Sequence, residues 1–244
     1  MRVGTCCAIE DVPEVLDSGF DYAEIPAFQL ATLENLDGLK SAGIETSNLF
    51  FPGGVSLYGE ERAAAIAVGV QTIRLAAEIG MEVMVIGSGG ARRAPEGVSP
   101  LDAQDSFVDL VAELAVEASR VGITLAPESL NRRETNVGND LIRLSGALHA
   151  RGIGYTMDTY HVLVEAHEEA IEADWAAQLQ HGLPDHLHVA NYERTVPEAT
   201  NASLTSLFRM LRQKGYAGRL SFEGNRGDHS WAQVASRLRA LSAG

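Results

Sequence analysis

Eight short apolar runs, each followed by a stretch with helical spacing, recur along the whole chain, and this repetition limits the fold more than any other property of the sequence. The runs are Arg2 to Cys7, Tyr22 to Pro26, Ile44 to Phe51, Met84 to Gly87, Ile123 to Glu128, Gly154 to Thr159, His186 to Asn191 and Leu220 to Gly224. Helical periodicity covers Glu60 to Ile79, Asp105 to Val121, Asp140 to Ala150, Glu168 to Leu179, Leu204 to Gln213 and Trp231 to Leu241, with shorter or less regular patterns at Pro13 to Asp17 and Ala31 to Ala42. Gly19, Gly43, Gly80, Gly122, Gly152, Gly182 and Gly215 keep phase with the repeat, each shortly after a helical run and just ahead of the next strand. That is where a helix closes through a left-handed residue. Eight consecutive strand–helix units with no antiparallel excursion predict an α/β chain folded as a single (β/α)8 TIM barrel over residues 1–244, a length that matches the roughly 250 residues usual for that fold. An open doubly wound sheet is the alternative, and its switch point would gather fewer strand ends.

Composition narrows the partners. With 45% hydrophobic and 21% charged residues the chain reads as globular, and its formal charge of −14 sets a repulsive field against nucleic acid. The opening MRVGTCCAIE lacks an apolar leader, and no segment reaches the length of a bilayer span, so no membrane partner and a cytoplasmic location are expected. The adjacent Cys6 and Cys7, the two cysteines of the sequence, read as small residues of the first strand in a reducing compartment.

Glu128, Asp158, His188 and Glu223 follow one another at intervals of 30, 30 and 35 residues, each at or near the far end of a predicted strand. In a barrel of parallel strands those ends form one mouth, where active sites are built. Each residue alone has an ordinary structural reading, as a core imidazole, a helix cap or half of an ion pair. Four polar groups facing one interior are costly to bury together unless a cation and an open mouth accommodate them. Three carboxylates and an imidazole, with no thiolate, suit one divalent ion, Mn²⁺, Mg²⁺ or Co²⁺ rather than a structural zinc. Such an ion can grip an α-hydroxy carbonyl compound while Glu128 and Glu223, on opposite faces of it, act as catalytic acid and base. His161, three residues after Asp158, is expected to point into the mouth. Glu134 and Arg194 are candidate substrate-binding residues, or else a plain loop salt bridge, and Glu24 is either a substrate contact or a support for a ligand. Arg92 and Arg93 invite a phosphate reading that the neighbouring Glu96 weakens.

The segments LAPESLNRRETN, MDTYH, HLHVANYER and SFEG, in this order and spacing, resemble the ketose 3-epimerases related to D-tagatose 3-epimerase, within the xylose-isomerase-like barrel superfamily. The resemblance is specific from Glu128 to Glu223 and looser before it, where NLFFPGGVSLYG and GSGGARRAPEG are similar to loops of many sugar phosphate isomerases or epimerases. It implies Mn²⁺ or a similar ion on Glu128, Asp158, His188 and Glu223, Glu128 and Glu223 as the acid/base pair, and His161, Glu134 and Arg194 around the carbonyl end of a small sugar. It also implies a homodimer or homotetramer. The expected activity is epimerisation of a ketose. Aldose–ketose, hydroxypyruvate or inosose isomerisation, a metal-dependent dehydratase and a non-catalytic sugar-binding subunit are the alternatives.

Overall fold

The computed structural model describes residues 1–166 and 172–243. Its elements run β1 (Arg2–Cys6), α1 (Val12–Asp17), β2 (Tyr22–Pro26), β3 (Ile44–Asn48), α2 (Arg62–Glu78), β4 (Val83–Ile86), α3 (Pro100–Arg120), β5 (Thr124–Pro127), α4 (Leu141–His149), β6 (Thr156–Asp158), α5 (Thr159–Glu165), α6 (Glu172–Gln178), β7 (His186–Val189), α7 (Ala202–Gln213), β8 (Arg219–Phe222) and α8 (Trp231–Ala243). All eight strands are parallel, in the order β5-β4-β3-β2-β1-β8-β7-β6. The circle closes between β5 and β6 through a lone parallel bridge, Glu128 to Thr156, beside which Thr156 Oγ1 donates to the Ala126 carbonyl at 2.9 Å. This is the (β/α)8 TIM barrel read from the repeat, with one thin seam.

The helices close as the glycine phase requires. All seven phased glycines have positive φ. At Gly122 (φ 78°) the chain turns so that the Ile123 amide donates back to the Ala118 carbonyl at 3.0 Å, capping the end of α3. A side chain at that position would strain the turn, because L-residues with a Cβ rarely adopt this conformation.

Most boundaries shift by one to three residues from the sequence reading, and two larger departures have a local reason. The helix expected over Ala31 to Ala42 is absent, and two 3-10 turns, Ala27–Thr32 and Asp37–Leu39, connect β2 to β3. Asn35 Oδ1 accepts the Asp37 amide at 2.7 Å, a side-chain bond that competes with helical pairing. Helix α3 starts five residues before the expected Asp105, because Ser99 caps it (Asp102 N to Ser99 Oγ, 3.1 Å) and Pro100 fits its first turn. The pattern expected over Glu168 to Leu179 partly lies outside the described residues, and its described portion is α6.

The core is the layer between sheet and helices. On α3, Ala103, Phe107, Val111, Leu114 and Ala118 are all fully buried, a stripe that faces the core with Val108 and Leu110 beside it. Full burial of a Leu or Phe side chain contributes about 1.5–3 kcal/mol each. Stacked around the sheet, such stripes hold the strand ends in fixed relation, and that relation places the site.

Candidate metal centre and active site

Glu128 lies one residue beyond β5, Asp158 ends β6, His188 is inside β7 and Glu223 follows β8. Parallel strands in register bring these four to one end of the barrel, and their ligand atoms all lie within 4.8 Å of one another. His188 Nδ1 is 2.8 Å from Glu128 Oε1 and 3.4 Å from Glu223 Oε2. Asp158 also caps α5, its Oδ1 accepting the Tyr160 amide at 2.7 Å. Its other oxygen, Oδ2, is buried without a hydrogen-bond partner. An orphaned carboxylate oxygen beside two further carboxylates is a costly arrangement, and a divalent cation at their centre would supply the missing charge. The donor set and the orphaned atom therefore fit a metal ion.

The electrostatics of the four groups are set by burial and mutual repulsion. Burial, then the charges of Glu128 and Glu223, push the Asp158 carboxyl well above its ordinary range. Burial likewise raises Glu128, although His188 pulls the other way. Burial would raise Glu223 too, but His188 and Arg194 outweigh it and bring that carboxyl down to about 2. Close carboxylates that ionise so unequally are a site short of positive charge.

His188 is oriented from below. Its Nε2 lies 2.8 Å from Glu24 Oε1, while Glu24 Oε2 is 2.9 Å from both His186 Nε2 and Thr46 Oγ1. Glu24 is fully buried, and its contacts are with these three side chains rather than with the mouth. A histidine that donates from one ring nitrogen to a carboxylate presents the other as a lone pair, the usual arrangement behind a metal-bound imidazole. Cys6, Glu24 and His188 form a second group with donor atoms within 4.8 Å. There the imidazole nitrogen facing Glu24 is already engaged, whereas Nδ1 faces the four-residue cluster.

His161 points into the same space, with Nε2 3.5 Å from Asp158 Oδ2. Its Nδ1 takes hydrogen bonds from Asn131, at 2.8 Å from Nδ2 and 3.2 Å from the amide. An acceptor at Nδ1 puts the proton on Nε2, which has no protein partner. Burial lowers the pKa of this histidine to about 3, so the ring stays neutral and offers an N–H donor to the site. Arg194 spans the rim, Nη1 reaching Glu134 Oε1 at 2.9 Å and Nη2 reaching Glu223 Oε2 at 3.1 Å, with its guanidinium 4.9 Å from the Tyr160 ring centre. It carries a positive φ of 56°. The carbonyl of that strained residue accepts the Asn225 amide at 2.8 Å and passes within 2.6 Å of where a Cβ on Gly224 would stand. Gly87 gives Glu128 the same kind of clearance, a Cβ there falling 2.9 Å from Oε2.

The structure thus brings Glu128, Asp158, His188, Glu223, His161, Arg194 and Glu134 together and sets Glu24 one layer deeper. Arg92 and Arg93 do not form an open clamp. Arg92 is fully buried, its Nη1 donating to the Glu128 carbonyl at 2.6 Å, and Arg93 donates to the Glu134 carbonyl at 2.9 Å. Sequence reasoning did not single out Asn131, Thr46 or Arg92 as supports. Asn131 stands three residues after Glu128, a local signal; Thr46 and Arg92 reach the site only through tertiary packing.

The model of the xylose isomerase-like TIM barrel family matches residues 12–241, and the chain belongs to that family. It is 28% identical over 238 residues to the 3-dehydro-D-guloside 4-epimerase of Escherichia coli strain K12, covering 88% of this chain and 86% of that protein. It is 28% identical over 229 residues to a putative hydroxypyruvate isomerase of Streptomyces coelicolor, covering 84% and 79%. The D-psicose 3-epimerase of Clostridium cellulolyticum H10, whose structure was solved with D-tagatose, superimposes with a TM-score of 0.74 at 18% identity over 100% of this chain and 96% of that one, a likeness of fold. Among the described residues, no helix is long and apolar enough to cross a membrane.

Proposed function

We propose that this protein is a metal-dependent epimerase or isomerase of a small ketose or related α-hydroxy carbonyl sugar, and that its reaction is ketose 3-epimerisation. The observation that carries the reading is the convergence of Glu128, Asp158, His188 and Glu223 within 4.8 Å around an unpartnered Asp158 oxygen. The relatives named above supply the substrate class, since 3-epimerisation, 4-epimerisation beside a 3-keto group and hydroxypyruvate isomerisation all remove a proton next to a carbonyl.

Glu128, Asp158, His188 and Glu223 would hold the ion, with Mn²⁺ preferred for this donor set. When bound, it supplies positive charge to the oxygen on which negative charge develops as the neighbouring C–H ionises. Glu128 and Glu223 flank His188 and are assigned as the pair that moves the proton, one taking it from one face of the carbon and the other returning one to the opposite face. Return from the opposite face inverts the carbon. His161, neutral with Nε2–H directed inward, donates to a substrate oxygen, and Arg194 with Glu134 holds the hydroxyls beside it. Glu24 keeps His188 in place and in the tautomer a ligand needs. Isomerisation is the second reading, favoured by the hydroxypyruvate isomerase relative, and it uses the same groups with one carboxylate carrying the proton between adjacent carbons.

The test is a panel of ketoses, aldoses and their phosphates incubated with the Mn²⁺-loaded protein in D₂O, with NMR locating the exchanged carbon. Exchange at C3 with an epimeric product is the expected result. Exchange at C1 or C2 selects isomerisation and an unsaturated product selects a dehydratase. No exchange anywhere on the panel, with metal bound, refutes the enzyme reading. Light scattering on the same sample tests the homodimer or homotetramer that goes with this reading.

A further inference from the structure

The metal ligands and proton-transfer groups come from the β5 to β8 half of the mouth, which leaves the β1 to β3 half to receive the rest of the substrate. That half is a cleft of about 480 Å3. Glu223, Arg194 and Glu193 line one side of it, and Cys6, Pro26 and Asn48 are among the residues on the β1 to β3 side. Two features of this wall call for a ligand. Asn48 is 6% exposed, yet its Oδ1 has no hydrogen-bond partner. Its neighbour Leu49 is held at φ 43° and is 46% exposed, a strained conformation for a residue with a Cβ. The strained turn keeps a large apolar residue at the rim, beside a nearly buried amide in the cleft wall whose oxygen has no partner. Natural sequences retain a pair of costs like these where binding offsets them.

Resting on the function proposed above, we infer that Asn48 is a specificity-determining residue that hydrogen-bonds a hydroxyl at the distal end of the sugar, and that this end is an uncharged polyol rather than a phosphate. The amide is the right group for a hydroxyl, which both donates and accepts, because it carries an acceptor and a donor and can turn to present either. Its place on β3 is two residues beyond Thr46, which reaches Glu24, so Asn48 lies on the same strand face one step nearer the mouth. The charges of the cleft argue against a phosphate. Glu193 and Glu223 are acidic, and the guanidinium of Arg194 already bridges Glu134 and Glu223. Among the described residues lining this cleft, none offers an unpaired cation.

The experiment compares rates of C–H exchange in D₂O for D-fructose, its 6-phosphate, its 5-deoxy and 6-deoxy analogues and the four-carbon L-erythrulose, in the Mn²⁺-loaded wild type and in Asn48→Leu and Asn48→Asp. Removing the distal hydroxyl that Asn48 holds should lower wild-type kcat/KM by about tenfold, since a buried polar group left unpaired costs about 1–3 kcal/mol. Asn48→Leu should lose most of that preference, so that the ratio of hexose to tetrose kcat/KM falls by about tenfold, and Asn48→Asp should retain part of it. The 6-phosphate should be the poorer substrate. If Asn48→Leu does not fold, the wild-type deoxy series still decides. Absence of exchange into every sugar, erythrulose included, sinks the underlying function. Exchange that is equal for the parent and both deoxy analogues, that favours the phosphate, or that falls by one factor for all chain lengths in Asn48→Leu overturns the inference about Asn48 alone.

Discussion

Asp158→Asn separates the two roles that one side chain plays. The Oδ1 that caps α5 by accepting the Tyr160 amide at 2.7 Å survives in asparagine, itself a favoured cap, so the local helix start is preserved. What disappears is the carboxyl oxygen Oδ2, which in the metal-free protein is buried and unpartnered and whose ionisation is opposed by burial and by Glu128 and Glu223. Relieving a buried unsatisfied polar group is worth about 1–3 kcal/mol, more when the group is charged. For a chain of this length each kcal/mol moves Tm by roughly 2–4 °C, so the metal-free variant should melt about 2–12 °C above the metal-free wild type. Metal shifts the wild type in the same direction. At a concentration of about 100 times Kd it adds about 2.7 kcal/mol, or roughly 5–10 °C. The variant, with an amide NH2 facing the site in place of one of three carboxylates, should lose most of that metal-dependent gain. Differential scanning fluorimetry of both proteins with EDTA and with Mn²⁺ reads all four melting points. If metal-free Asp158→Asn melts several degrees below the wild type and keeps a full Mn²⁺ shift, Asp158 is a packing residue and the metal centre is misassigned.

Glu223→Gln should bind Mn²⁺ more weakly and lower kcat by about 10²–10⁴-fold under metal-saturating conditions, as expected for loss of a proton-transferring group, and near-native turnover would remove it from the acid/base pair. Glu24→Gln should weaken Mn²⁺ affinity by about 10- to 100-fold in calorimetric titrations while leaving the four ligands in place, the effect expected when the partner of a ligating histidine is altered. Asn131→Ala frees His161 Nδ1 and should raise KM through loss of the fixed Nε2–H donor; a KM unchanged from wild type would show that the tautomer is held in another way. The Mn²⁺-induced rise in Tm should be larger at about pH 8 than at about pH 5. Asp158, Glu128 and His188 are raised in the folded metal-free protein, so their contribution is present below their unfolded values and is lost as pH climbs through the raised folded ones. Glu223 has the opposite sign, but with a folded value of about 2 its stabilisation is already complete at both pH values and does not cancel the trend.

The four clustered residues were legible in the sequence because a parallel barrel converts chain distance into angular position: one strand–helix unit of about 30 residues advances each donor to the next strand end. Phase alone therefore located Glu128, Asp158, His188 and Glu223, and the glycines at the helix ends supplied an independent check on that phase. Where local chemistry departs from the repeat, the repeat misleads, as at Asn35, whose side-chain bond displaced an expected helix. The supports of the site were only partly legible: Glu24 was expected as a substrate contact or a support for a ligand and takes the second role, whereas Thr46 and Arg92 carried no such signal. Glu24 meets His188 across 164 residues and Arg92 meets the Glu128 carbonyl across 36, contacts fixed by which side chains fill the inside of the barrel rather than by spacing along the chain. The repeat thus reveals the residues delivered to the mouth, while which side chains hold them there is settled only by packing inside the barrel. The second set decides how firmly His188 is kept as a ligand, which is why Glu24→Gln is expected to act on metal affinity although Glu24 belongs to neither the four ligands nor the acid/base pair.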